Sequence, residues 1–126
     1  MAVTIQVSVS GLRGLTQALN RYPQISKKYI NKALDQSGRL IEREAKAQAP
    51  VDTGVLRNRI IARRPQNLSV RVSDQTEYGI YVHEGTSRIT PNPFFTRSVR
   101  RRKREIVGYM ARAVQLTFRE VANKAR

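Results

Sequence analysis

Ala49-Pro50-Val51-Asp52-Thr53-Gly54-Val55-Leu56-Arg57 is the corner on which this chain turns. Pro50 disfavours the helical conformation in the residue before it and cannot donate a backbone hydrogen bond, so a helix arriving from the N-terminal side must stop there. In the segment that follows, the Asp52 carboxylate can accept from N–H groups two residues on and Gly54 can take a positive φ, which predicts a chain reversal.

Upstream of this corner, apolar residues recur at three- and four-residue steps: Ile25, Tyr29, Ile30, Ala33, Leu34, Leu40, Ile41 and Ala45. That spacing predicts a helix over about 24–49 with one buried face. Asp35 with Arg39, and Glu42 with Lys46, form i,i+4 pairs outside the stripe. Before it, Val3, Ile5, Val7 and Val9 alternate with Thr4, Gln6 and Ser8, the period of a half-buried strand ended by Ser10-Gly11. Leu12, Leu15 and Leu19 then fit a short helix closing near Tyr22-Pro23.

Downstream, residues 57–64 and 68–73 predict a hairpin around Pro65-Gln66-Asn67. A three-residue loop with Asn67 left-handed would pair Arg64 with Leu68, Ala62 with Val70 and Ile60 with Val72, whereas a two-residue loop would set Ile60 opposite Arg71. The three-residue loop is the expectation here. Ile60, Ala62, Leu68, Val70 and Val72 then face the core, and Arg57, Arg59, Arg63 and Arg71 share the other face. After Asp74-Gln75-Thr76-Glu77, the spacing of Tyr78, Tyr81 and Val82 fits a short helix or a bent edge strand ended by Gly85, and the helical turn is the expectation here. Ser87 to Asn92 is expected to be a flexible loop, with Pro93 as the first residue of a last helix running from Phe94 to near Lys124. The stripe of that helix is Val99, Ile106, Met110, Ala113, Thr117 and Val121, widened by Val114 and Phe118, and Gly108 is a place where it could bend. The fold class that results is α+β: a small antiparallel sheet of three or four strands packed by two long helices plus short ones, in a single domain over 1–126.

The chain carries 24 Lys and Arg against 9 Asp and Glu, a formal charge of +15. Residues 1–49 hold 8 basic and 3 acidic side chains and residues 50–126 hold 16 and 6, so the excess leans C-terminal. A field of that size attracts polyanions and opposes self-association unless like charges are kept apart. The densest run, Arg100-Arg101-Arg102-Lys103-Arg104, covers every side of a helix and must meet solvent or a negative neighbour. With Arg97 it could neutralise several phosphates, yet no zinc finger, RNA-recognition signature or basic-zipper heptad accompanies it.

Other chemistry is sparse. There are no cysteines for disulfides or thiolate metal sites. His83 is the single histidine, and a metal site there would need carboxylates such as Glu84 and Asp52 to converge. No nucleophile elbow or Gly-rich phosphate loop is present, and Asp52-Thr53-Gly54 follows a proline-ended helix and not the apolar strand of an aspartic protease. The expectation is therefore no enzyme, no cofactor and no metal. With no apolar run near the ~20 residues of a membrane helix and no signal-peptide pattern, a soluble protein with no membrane partner is expected.

Three segments recur in a fixed order: Ala49 to Arg57, Tyr78 to Thr86, and Pro91-Asn92-Pro93-Phe94-Phe95. Together they resemble the tail-completion, or tail-component, family of long-tailed, siphovirus-type bacteriophages. In that family a helix ends in Ala-Pro, an Asp-Thr-Gly-x-Leu-Arg turn leads into a strand pair, a Tyr-x-x-Tyr-Val-x-x-Gly-Thr segment follows, and a Pro-Phe motif opens the last helix. His83-Glu84 and the dense arginine block depart from the pattern. The resemblance implies a structural virion protein of the tail or neck, assembled in the host bacterial cytoplasm as a hexameric ring between the tail tube or its terminator and the head connector. It further implies that Pro50, Asp52, Thr53, Gly54, Leu56, Gly85, Thr86 and Pro93 shape the corners while Tyr78, Tyr81 and Phe94 anchor the helices. Arg57, Arg59, Arg63, Arg71, Arg97, Arg100, Arg101, Arg102, Lys103 and Arg104 would meet acidic connector or tube surfaces, or DNA in the channel, and Glu84 would pair with one of them across a subunit boundary. The alternative is a sequence-nonspecific DNA-binding protein acting through the basic helix.

Overall fold

The computed structural model describes residues 4–8, 13–49 and 54–124. In chain order they form β1 (Thr4–Ser8), α1 (Arg13–Arg21), α2 (Pro23–Gln48), α3 (Val55–Asn58), β2 (Ile60–Arg63), β3 (Ser69–Asp74), α4 (Gly79–Glu84) and α5 (Phe94–Lys124). The expected corner residues Pro50, Asp52 and Thr53 lie outside the described residues, as does the Ser10-Gly11 turn.

The long helices pair antiparallel, as three contacts along them show: Lys28 with Glu120, Glu44 with Arg102, and Gln48 with Arg97. At 1.5 Å per residue, α2 with 26 residues is about 39 Å long and α5 with 31 about 46 Å. Buried hydroxyls ease their packing: Ser37 Oγ donates to the Ala33 carbonyl and Thr117 Oγ1 to that of Ala113, both at 2.8 Å, so small polar residues sit in the interior without an unmet donor. The other face of α2 meets the sheet. Gly38 permits a close approach there, since a Cβ on it would stand 2.5 Å from Val70 Cγ2.

The antiparallel sheet has three strands in the order β1-β3-β2. One apolar cluster joins Ile41 and Ala45 of α2, and Ala49 just after it, to Leu56, Ile60, Val72, Phe94 and Phe95; a second joins Ile30, Ala33 and Leu34 to Val70, Met110 and Ala113. The edge strand β2 is capped by tertiary contact, the Ala62 N–H donating to Glu42 Oε2 at 3.3 Å.

The hairpin register differs from the expected one by two residues. Ile60 stands opposite Asp74, Ala62 opposite Val72 and Arg63 opposite Arg71. The left-handed residue is Leu68, with φ 58°, not Asn67. The cause is Asn31 on α2, whose Oδ1 accepts the Leu68 N–H at 2.9 Å and whose Nδ2 donates to Asn67 Oδ1 at 3.2 Å. Arg64 donates to the Asn31 carbonyl and pairs with Asp35, which displaces the expected Asp35–Arg39 pair. A five-residue connection is therefore held from outside the hairpin. A slip of two keeps every side chain on its own face, so Ile60, Val70 and Val72 are buried as expected.

Residues 55–58 are helical, so Arg57 lies on α3 and Arg59 just after it, not on a strand. The expected face of four arginines reduces to the cross-strand neighbours Arg63 and Arg71. The predicted helical turn after Tyr78 is α4, ended by Gly85 at φ 79°. Pro93 caps α5 from outside, its carbonyl accepting the Arg97 N–H at 3.0 Å, and α5 runs unbroken through Gly108.

Candidate functional site

Charge decides which parts of this surface can recognise a partner. Of the acidic side chains, Asp35, Glu42, Glu44, Glu105 and Glu120 are each ion-paired with Lys or Arg of the same chain. Those pairings remove particular cations from the expected contact set.

The basic block at the start of α5 is split by this internal demand. Glu44 is buried, its Oε2 accepting from Arg102 Nε at 3.2 Å and Nη2 at 3.0 Å while its Oε1 accepts from Gln48 Nε2 at 3.1 Å and lies 3.4 Å from Arg101 Nε. Arg102 also grips Glu105, at 3.1 and 3.2 Å. The Gln48 amide first, and Arg102 after it, hold the Glu44 carboxyl below the ordinary glutamate value, and these two carboxylates hold the Arg102 guanidinium charged more firmly still. Arg97 is likewise used internally, bonding Gln48 through Nε and Asn92 Oδ1 through Nη2 at 2.7 Å, so it ties the end of α2 to the loop before α5. Arg97 and Arg102 are thus half-buried structural cations, contrary to their expected place on a contact face. Arg100, Lys103 and Arg104 point to solvent.

The Tyr78 to Thr86 segment reverses another expectation. Tyr78 and Tyr81 are 44% and 56% exposed, so they do not anchor α4. That role falls to His83, buried edge-on to Phe94 at 5.4 Å and tilted on Phe95 at 6.2 Å. Its Nδ1 lies 2.8 Å from Glu84 Oε1 and its Nε2 3.5 Å from Thr96 Oγ1. Phe94 is fully buried, as expected of an anchor. The stretch before α5 is also pinned, contrary to the flexible loop expected: Thr86 Oγ1 accepts the N–H groups of Arg88 and Ile89, and the Asn92 N–H donates to the Val82 carbonyl at 3.0 Å.

α4 therefore presents an exposed aromatic edge bracketed by carboxylates. Glu77 precedes Tyr78, and Glu84 ends the helix, 67% exposed. Among the described residues neither carboxylate is paired with Lys or Arg. The remaining described carboxylate, Asp74, is buried and accepts from the Thr76 N–H at 2.9 Å and Thr76 Oγ1 at 2.8 Å.

Sequence reasoning missed three determinants. Glu44 was legible only as one more polar residue of α2, because its partner lies far away in the chain. Asp74-x-Thr76 does carry a local signal, that of an Asx turn ahead of a helix. Lys32, Arg39 and Arg43 follow one another at helical spacing on α2, a pattern that the more conspicuous arginine run overshadowed. Among the described residues no group of His, Cys, Asp and Glu is placed to hold a metal ion, and no helix is long and apolar enough to cross a membrane.

No curated protein and no solved structure matches the chain. Residues 13–85 match the family described as "Bacteriophage HK97-gp10, putative tail-component". The match runs from α1 to the end of α4 and takes in Gly54 to Arg57 and Tyr78 to Gly85, while Pro93, Phe94 and α5 lie beyond it. On this match over more than half its length, and on the α+β framework that sets those segments at its corners, the chain belongs to the HK97-gp10-like family of phage tail components.

Proposed function

We propose that this protein is a structural subunit of the phage neck, forming a hexameric ring that joins the tail tube to the head connector. The observation that carries this reading is the complementarity of two exposed surfaces on one molecule. Glu77 and Glu84 bracket the exposed tyrosines of α4, while Arg100, Lys103 and Arg104 stand uncommitted at the start of α5. A heterologous contact of one patch with the other, repeated around an axis, closes into a ring. It would also offset the repulsion that a charge of +15 imposes on association. The cations left over, with Arg63 on the sheet, face acidic surfaces of the connector and the tube.

Deleting the gene from its phage and imaging the lysate tests the joining role. Separate heads and tails are expected; intact virions would refute it. The ring contact is tested by reversing Glu77 and Glu84 together to Lys and sizing the protein over a range of concentrations in low and high salt. Loss of association is expected, with partial recovery when Arg100, Lys103 and Arg104 are reversed to Glu in the same chain. Arg101 and Arg102 are unsuitable for this test, because changing them strands the Glu44 carboxylate.

A further inference from the structure

The seam between α2 and α5 holds two adjoining hollows of about 250 and 210 Å³ that share Gln36 and Tyr109. Their rims carry Lys32, Arg39 and Arg43 from α2 and Arg112 from α5, all exposed. Tyr109 and Leu40, half-buried, form part of the floor. No carboxylate lines either hollow, and none of the four rim cations makes an ion pair among the described residues. At the far end the Tyr29 hydroxyl donates to Glu120 at 3.2 Å, a carboxylate already bound to Lys28. The contrast with a third hollow, between α2 and β2, is informative: there Asp35 and Glu42 stand beside Arg39, Arg63 and Arg64. Two carboxylates offset most of the three cations on that side of α2, whereas nothing offsets those on the other, and Arg39 borders both.

We infer that the α2–α5 groove is a binding track for the phosphodiester backbone of a nucleic acid strand. Cations stand on both walls. Lys32, Arg39 and Arg43 follow the helix axis at intervals of about 10 and 6 Å, which suits a continuous polyanion better than a single anion. Guanidinium groups suit phosphate oxygens because their donors form a planar fork. The phenol ring of Tyr109, half-exposed between the walls, supplies the π-face on which a base of a single strand stacks without regard to sequence. An acidic protein segment would use the cations equally well but would leave that ring without a role. This track is distinct from the start of α5 and from the proposed ring contact, so it stands or falls independently of them.

The test is fluorescence anisotropy of the full chain with a labelled 20-nucleotide oligothymidylate, a duplex of the same length, and polyglutamate, over a salt series. The triple variant Arg39→Gln, Arg43→Gln, Arg112→Gln is compared with Arg21→Gln, Lys27→Gln, Arg88→Gln, which removes the same charge at exposed positions outside both the groove and the proposed ring contact. Each lost phosphate contact reduces the slope of log K against log salt by about 0.7 on a single strand, so the groove variant is expected to lose about 2 in slope while the control stays near wild type. Tyr109→Ala is expected to weaken single-strand binding about tenfold with little effect on the duplex, and Tyr109→Phe to restore it. Equal losses in the two triple variants would overturn the proposal, as would absence of oligonucleotide binding or groove-dependent binding of polyglutamate alone. Circular dichroism of each variant separates loss of contact from loss of fold.

Discussion

Exchanging glycine for alanine at two helical positions of this protein is expected to give opposite signs. A Cβ on Gly79 would fall inside contact distance of Asp74 Oδ2, 2.7 Å from Asp74 Cγ and 3.0 Å from Thr76 Oγ1, where ordinary contact begins at 3.4 Å. Asp74 cannot yield easily, because it is fully buried and held by both the N–H and the hydroxyl of Thr76. If the carboxylate moves, it gives up a charged hydrogen bond worth about 1.5–3 kcal/mol. If α4 moves instead, overpacking costs about 1–3 kcal/mol. The helical preference of alanine returns at most about 1 kcal/mol, leaving a net loss of roughly 1–2 kcal/mol. At Gly108 a Cβ meets nothing within 4 Å, so Gly108→Ala should gain about 1 kcal/mol. Urea unfolding followed by far-ultraviolet circular dichroism measures both, and each kcal/mol corresponds to about 3–5 °C in Tm for a chain of this size. A double-mutant cycle identifies the cause: with Asp74→Ala in place, the Gly79→Ala penalty should largely vanish. A Gly79→Ala protein as stable as wild type, or a penalty unchanged without the carboxylate, would refute the reasoning.

Further outcomes follow from other contacts. Phe94→Ala should cost about 3–5 kcal/mol in the same assay, since the ring is fully buried against His83 and Phe95. Asn31→Ala should cost about 1 kcal/mol and speed hydrogen exchange at the Leu68 amide, because that residue holds the β2–β3 connection from α2. The Glu44 carboxyl is held below its ordinary value of 4.5 in the folded chain, so the stability it contributes is complete above that pH and is lost as pH falls through the lower folded value. Glu44→Gln should therefore lower Tm at pH 7, with the gap to wild type narrowing as pH falls below 4.5. A gap that stays constant across that range would exclude the carboxylate as its source.

Local chemistry made much of this protein legible from the sequence alone. The apolar stripes of α2 and α5, the end of α2 at Gln48, the helical turn after Tyr78 ended by Gly85 and the positive φ of Gly54 (82°) all depend on residues within a few positions of one another, where periodicity and backbone sterics act. Two of the three corner segments, Ala49 to Arg57 and Tyr78 to Gly85, fall within the stretch that matches the family. What the tertiary structure decided is where distant residues met. Asn31 set the hairpin two residues away from the register that local turn rules favour, because a hydrogen bond from α2 outweighs the preference of a short loop. Glu44 drew Arg102 inward, and Gln48 did the same to Arg97, so a run that reads as uniformly exposed divides into structural and available cations. His83 displaced Tyr78 and Tyr81 from the anchoring role by packing edge-on to Phe94 and tilted against Phe95. The groove between α2 and α5 exists only once the helices lie side by side. Periodicity marks which face of an element is buried; which partner covers that face is settled by packing and charge between segments far apart in the chain.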